Sequence, residues 1–224
     1  IYPGSIIDNT ECQKMVERAK SYGCKDVGFI LDRGYFSIEN IKYFEKHDYD
    51  YILMTKGNAA FITKSIEESV ALLKEGYQYY MEDYELYGKT IEKELFHTGK
   101  KQYIHIYYDG IAAEREKIII NQRFHKLDQQ LEEKKNQIIK RQEDVAGYKK
   151  YYRLKFDENG YFQSYKRKDK EIKELINRAG FFAIITSRKM SASQALEIYR
   201  DRDAIEKVFR MEKTYLGNDV FRVH

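Results

Sequence analysis

Short apolar runs separated by amphipathic stretches mark both ends of this 224-residue chain. The runs 27–31, 51–54 and 180–186 are too short for helices, and continuous apolar runs of this length are typical of strands buried on both faces of a sheet. Between the first two runs, Ser37 is placed to cap a helix reaching His47, with Ile41 and Phe44 on one face. This order of strand, helix and strand predicts a parallel crossover and an α/β fold.

Two further helices are predicted near the ends of the chain. Apolar or small residues recur at a helical spacing between Asn9 and Tyr22. A longer helix, capped by Ser191 or Ser193, extends to about Leu216 and is closed by Gly217.

The middle of the chain has a different character. Alternating residues at 103–107 predict a strand, and the charged run from Ile111 to about Lys150 predicts a long, largely exposed helix whose outer side is more simply a solvated face than a partner-binding one. We therefore expect three parts: the first part of a core domain at 1–56, an α+β insertion subdomain at 57–179, and the last core strand and helix at 180–224.

Composition excludes several classes of protein. Hydrophobic residues make up 42% of the chain and charged residues 34%, which argues against intrinsic disorder. Cys12 and Cys24 form no CxxC pair, so neither a zinc site nor a disulfide framework is supported. There is no apolar run of the roughly 20 residues that a membrane span needs, and we expect a cytoplasmic protein. Glycine-rich phosphate loops, nucleotide fingerprints and a Ser/His/Asp order are also missing from the sequence.

Charge is distributed unevenly along the chain. Residues 149–224 carry 18 Lys+Arg against 11 Asp+Glu, whereas residues 1–148 carry 22 against 25. The C-terminal third is thus positive, which suits a polyanionic partner such as DNA, although asymmetry of this size also occurs on ordinary solvated surfaces.

Asp32 is the first candidate for chemistry. It follows the apolar run 27–31 directly, and the carboxyl ends of strands are where open α/β sheets bind ligands. The simpler interpretation is a loop aspartate that caps the turn beginning with Arg33 and Gly34.

The final helix provides the second candidate group. Four polar residues recur at intervals of 3, 4 and 7, which keeps them on one face of a helix: Tyr199, Arg202, Glu206 and Lys213. A neighbouring apolar stripe is placed to dock the helix on the sheet: Ile198, Ile205, Val208 and Phe209. The ordinary alternative is an intrahelical ion pair such as Arg202 with Glu206, contributing only ~0.2–0.5 kcal/mol.

These residues carry a resemblance to a known family. The pattern Tyr199-x2-Arg202-x3-Glu206-x6-Lys213 resembles the Y-R-E-K signature of DDE transposases from bacterial insertion sequences, with every interval matching. The resemblance includes Asp32-Arg33-Gly34-Tyr35 after one strand, Thr186 after another, and Pro3-Gly4 with Asp8 near the start. It covers roughly residues 1–56 and 180–224.

The resemblance implies a fold and a chemistry. The fold is α/β, a ribonuclease H-like mixed sheet with flanking helices, interrupted by an insertion. Two aspartates and a glutamate of such transposases bind two Mg²⁺ (or Mn²⁺) ions for phosphodiester chemistry, and by position Asp32 is the second carboxylate and Glu206 the third. The signature residues Tyr199, Arg202 and Lys213 are then expected to contact DNA.

The same resemblance implies the partners: double-stranded DNA, both transposon inverted-repeat ends and target DNA, bound by a homodimer. The first aspartate of the triad belongs upstream of Ile1, and Asp8 lies in a post-strand loop, so we expect a fragment that cleaves DNA feebly or not at all. Two alternatives stay open at this point, a plain metal-dependent nuclease and a non-catalytic DNA-binding or helical interaction module from a decayed element.

Overall fold

The computed structural model describes residues 14, 17, 21, 28–57, 59–96, 99–135 and 147–202. They divide into two compact units, the first within Ile1–Tyr107 and Phe182–His224 and the second within Tyr108–Phe181. Across these described ranges, no helix is long and apolar enough to span a membrane. The three described residues of the predicted helix at 9–22 are helical and exposed, and the rest of it lies outside the described residues.

The described residues contain the following strands and helices. The strands are β1 (Gly28–Leu31), β2 (Asp50–Met54), β3 (Tyr80–Met81), β4 (Leu86–Lys93), β5 (Gln102–Tyr108), β6 (Tyr152–Phe156), β7 (Phe162–Arg167) and β8 (Phe181–Thr186). The helices are α1 (Ile38–Lys46), α2 (Ala60–Glu75), α3 (Gly110–Glu133), α4 (Asp169–Asn177) and α5, described over 192–202.

A six-stranded sheet in the order β1-β2-β8-β5-β4-β3 organises the first unit. Strand β1 pairs with β2 in parallel, and β2 pairs with β8 in the antiparallel direction. The predicted mixed α/β class is confirmed, and so are the strands predicted at the three apolar runs. The prediction of burial on both faces was wrong for β1, of which only Leu31 is buried. The central strands are buried as their sequences require, with Leu53, Ile106 and Ile184 fully inaccessible to solvent.

Helix α1 begins as the sequence predicts. The Ser37 hydroxyl accepts a hydrogen bond from the Asn40 backbone N–H at 3.1 Å, and the apolar face of the helix buries Ile41 and Phe44 completely. The β1-α1-β2 crossover therefore places the carboxyl ends of two parallel strands side by side.

The boundary predicted at residue 57 does not coincide with the boundary between the compact units. Residues 57–107 supply α2 and strands β3, β4 and β5, and those strands extend the sheet that contains β1 and β2. Their tyrosine-rich and charged sequence differs from the continuous apolar runs because β3 and β4 are only partly buried. Whether 57–179 behaves as one inserted subdomain stays a prediction.

The second unit is built on α3 and a two-stranded hairpin of β6 and β7. Aromatic residues dominate its core, in which Phe124 and Leu131 of α3 meet Tyr152 and Phe162 of the hairpin. Helix α3 ends at Glu133, so the prediction of one helix from Ile111 to about Lys150 was too long at its C-terminal end. The apolar stripe of α3 is covered by the hairpin.

Candidate active site at the end of the first strand

Asp32 lies at the carboxyl end of β1, where the chain enters a 3-10 turn over Arg33–Tyr35. Its Oδ1 atom accepts a hydrogen bond from the Arg33 backbone N–H at 2.7 Å, and its carbonyl oxygen accepts one from the Tyr35 N–H at 3.0 Å. The side chain is exposed. Asp32 therefore caps the turn, as the simpler interpretation expected. Its side chain is nevertheless exposed to solvent at the carboxyl end of β1.

Buried residues hold this turn in place. Asn40 is 1% exposed, and its side-chain amide donates to the Tyr35 carbonyl oxygen at 2.9 Å. Phe36, at the end of the turn, is also buried and contacts the ring of Phe61. A buried amide with a satisfied hydrogen bond fixes the backbone that follows Asp32, because breaking the bond would leave polar groups unpaired.

Tyr199 of α5 reaches the same carboxylate. Its hydroxyl donates to Asp32 Oδ1 at 3.2 Å, across a sequence separation of 167 residues, and lies 3.6 Å from the sulfur of Met54 at the end of β2. Only 5% of Tyr199 is exposed. The helix that carries Tyr199 is thus docked on the turn that carries Asp32.

The packing of α5 explains why Tyr199 arrives there. Ala192, Leu196 and Tyr199 recur at intervals of four and three, which places them on one helix face, and they pack against Ile52, Leu86, Tyr107 and Ile184 of the sheet. The start of the helix is fixed by Ser191, whose hydroxyl accepts from the Gln194 N–H at 3.1 Å while the Gln194 side chain accepts from the Ser191 N–H at 2.9 Å. This reciprocal pair is a capping box, and it identifies Ser191 as the cap.

A buried hydrogen-bond chain crosses the sheet beside α5. Thr186, the last residue of β8, donates its hydroxyl proton to the Arg188 carbonyl oxygen at 2.7 Å, so the His105 Nε2 atom, 3.0 Å away, must donate to Thr186. Thr90 then donates to His105 Nδ1 at 2.9 Å. Burial lowers the pKa of His105 to about 4, and the ring is therefore neutral at physiological pH. This series of hydrogen bonds connects β4, β5 and β8 to the loop that leads into α5.

Asp32 has the chemistry of a ligand for a hard divalent cation. Within the described part of the chain, both hydrogen bonds that its side chain accepts go to Oδ1, and a carboxylate has lone pairs on two oxygens. Oxygen ligands of this kind are those that Mg²⁺ prefers. Among the described residues, no group of three or more potential ligands converges, so Asp32 is the single described candidate at this position.

Comparison with known proteins bears on this geometry. The family model of the transposase DDE domain matches residues 1–224. The chain belongs to the transposase DDE domain family. It is therefore a transposase-type polynucleotidyl transferase, from a family that binds DNA and generally uses divalent metal ions. No curated protein and no solved structure gives a significant match.

Membership of the family confirms the resemblance to DDE transposases, and the mixed sheet with flanking helices is consistent with their ribonuclease H-like fold. The narrower assignment to the Y-R-E-K subgroup stays a prediction.

Three of the five predicted site residues lie within the described part of the chain. Asp32 and Tyr199 are brought together, and the Arg202 guanidinium lies 4.9 Å from the centroid of the Tyr199 ring. Glu206 and Lys213 lie outside the described residues.

The sequence interpretation missed two supporting residues. In the sequence, Asn40 is recognisable only by its position in the first turn of α1. His105 is one polar residue in an alternating strand. A polar residue inside an apolar strand is the signal that could have identified His105.

Proposed function

We propose that this chain is the part of an insertion-sequence transposase that carries two of its three catalytic carboxylates and acts in metal-dependent strand cleavage and strand transfer at the ends of the element. Asp32 and Glu206 are the proposed ligands for Mg²⁺ or Mn²⁺, and the first aspartate is proposed to lie upstream of Ile1. The observation that carries the proposal is the hydrogen bond from Tyr199 to Asp32. This bond orients the carboxylate through Oδ1, as a ligand of a catalytic metal ion must be oriented.

The roles proposed for the residues follow from their contacts. Asp32 would hold a divalent cation through Oδ2, while Tyr199 and the Arg33 N–H fix the carboxylate by donating to Oδ1. Two such ions, when bound, activate the attacking oxygen and stabilise the leaving oxygen of an in-line displacement. Tyr199 is thus a positioning residue in this proposal. The Tyr199 hydroxyl already has a protein partner, Asp32. The contact of Tyr199 with DNA stays a prediction.

The partners proposed are the inverted-repeat ends and the target duplex. Arg202 and Lys213 are proposed to contact phosphate oxygens, for which guanidinium and ammonium groups are suited. The family's use of DNA supports this proposal, and a homodimer on paired ends is proposed from the resemblance alone.

Metal binding provides the first test, and Mn²⁺ alone is the probe. We expect Mn²⁺ titration of the full chain, followed by electron paramagnetic resonance, to show a site that Asp32→Asn and Glu206→Gln each weaken by tenfold or more. Glu39→Gln is the matched control, because Glu39 is an exposed carboxylate in the first turn of α1. Equal Mn²⁺ affinity in all variants would contradict the proposed ligand set.

Strand cleavage is the second test. The transposase with its upstream residues is expected to nick a duplex carrying its own element's ends in Mg²⁺, and Asp32→Asn is expected to abolish nicking while Glu39→Gln retains it. Sustained nicking by Asp32→Asn would refute the catalytic role of Asp32. Duplex binding without any nicking by the wild-type protein would favour the non-catalytic module.

A further inference from the structure

The hairpin of the second unit presents a cluster of cations on one face. Register pairs Arg153 with Lys166 and Lys155 with Ser164, and these four side chains share one side of the ribbon because successive residues of a strand alternate between faces. All four are exposed. We name Arg153, Lys155 and Lys166 the basic face.

The opposite side of the ribbon accounts for this orientation. Tyr152 is buried against Phe124 and Leu131 of α3, and Tyr165 packs on the same cluster. Phe162 also lies on this side, because a register shift between Lys155 and Phe156 interrupts the alternation and pairs Phe162 with Phe156. The hairpin is therefore anchored through its aromatic side. The basic face must point away from α3, and nothing within the described part of the second unit covers it.

The described residues provide no ion pair for the cations of the basic face, whereas another cation of the same hairpin has one. Arg167, on the inner side, forms an ion pair with Asp128 of α3. By contrast, no ion pair between described residues includes Arg153, Lys155 or Lys166. Arg153 and Lys166 are also direct cross-strand neighbours, and like charges in that position destabilise a sheet. A polyanionic partner would turn this repulsion into a favourable interaction.

The ribbon is held in shape before any partner binds. At its tip, Asp157 Oδ1 accepts from the backbone N–H groups of Asn159 at 3.0 Å and Tyr161 at 2.8 Å, and Gly160 adopts a left-handed φ of 83°. A rigid surface loses little conformational freedom on binding, which favours affinity.

We propose that the basic face binds the phosphates of duplex DNA. The choice of DNA as the partner rests on the proposed function, whereas the location of the binding surface is inferred from the hairpin itself. Two strands lie about 5 Å apart, and a ribbon of that width fits the major groove of B-DNA, which is about 12 Å wide. The corresponding groove of duplex RNA is too narrow to admit side chains, so the ribbon favours DNA.

Salt dependence of DNA binding tests this proposal in the full chain. Each phosphate neutralised contributes about 0.9 to the slope of log K against log salt concentration. The variant Arg153→Gln/Lys155→Gln/Lys166→Gln is therefore expected to lower the magnitude of the slope by about 2.7 on a duplex of arbitrary sequence. The matched control is Arg115→Gln/Lys126→Gln/Lys134→Gln, which removes one arginine and two lysines on or at the end of α3 in the same unit. Its slope is expected to equal that of the wild type.

The outcomes separate this proposal from the proposed function. An unchanged slope in the hairpin variant, an equal loss in both variants, or no duplex binding by the wild type would overturn the assignment of the basic face. Tighter binding of duplex RNA than of duplex DNA would overturn the choice of partner. Failure of the proposed function appears instead as Mn²⁺ affinity or nicking that is insensitive to Asp32→Asn. Should the triple variant unfold, Arg153→Gln alone is expected to reduce the slope by about 0.9.

Discussion

Mild acid is expected to destabilise the first unit through His105. The ring is fully buried, with one nitrogen donating to Thr186 and the other accepting from Thr90. Burial lowers its pKa from 6.5 to about 4, so the unfolded chain binds a proton at a higher pH than the folded chain does. The stabilisation is fully present above the unfolded pKa of 6.5 and is lost as the pH falls towards 4.

The magnitude follows from the difference between the two pKa values. One pKa unit corresponds to 1.36 kcal/mol, so the full effect on the free energy of unfolding is about 3 kcal/mol, of which about 2 kcal/mol is lost between pH 8 and pH 5. Urea unfolding followed by circular dichroism at several pH values in this range measures the loss directly.

A substitution isolates this contribution from the titration of other groups. His105→Gln retains a donor and an acceptor but does not titrate, so its stability is expected to fall by about 2 kcal/mol less than that of the wild type between pH 8 and pH 5. His125→Gln, at an exposed position on α3, is expected to retain the wild-type dependence. If His105→Gln and the wild type lost the same stability, burial of a neutral His105 could not be the cause.

Three further tests address the local geometry. Tyr199→Phe removes only the hydroxyl that bonds the candidate metal ligand. Because a bond to a charged group contributes about 1.5 kcal/mol or more to stability, the melting temperature is expected to fall by a few degrees, and nicking in Mg²⁺ by the still-folded protein is expected to fall about tenfold; unchanged nicking would refute a positioning role. Ser191→Ala should lower the free energy of unfolding by about 1 kcal/mol and Ser193→Ala by much less, as measured by urea titration, and the reverse order would place the helix start two residues later. Gly180→Ala should destabilise more than Gly160→Ala by thermal melting, because both have positive φ but only at Gly180 would the new Cβ crowd a neighbour, at 2.6 Å from a side-chain atom; equal effects would contradict that close packing.

Much of the local structure could be predicted because it depends on near neighbours in the sequence. The strands at 28–31 and 181–186 are each specified by an apolar run, and the helix between them in the sequence at 38–46 is specified by an apolar face and the cap Ser37. The sequence also left a real ambiguity at Ser191 and Ser193, since both precede the same helical pattern. Only the hydrogen bonds with Gln194 decide between them.

The extent of the core sheet was harder to predict. Strands β3 and β4 are partly buried and rich in tyrosine and charge, so their sequences resemble those of an inserted subdomain. Strands β3, β4 and β5 are neighbours both in the sequence and in the sheet, and they join the core because β5 lies beside β8, which is far away along the chain. The pattern within one segment does not show which strand it will pair with.

The sequence by itself determined the family resemblance, because the Y-R-E-K spacing and the DRG string are local patterns that survive without coordinates. It also determined that Asp32 follows a strand. Only the tertiary structure decided that the Tyr199 hydroxyl donates to Asp32 and that Asn40 and His105 support the surrounding turn and sheet. It also decided that three cations of one hairpin share an uncovered face. The physical reason is that hydrogen bonds and packing depend on distances in space, and two residues separated by 167 positions acquire such a distance only when the strands between them pair.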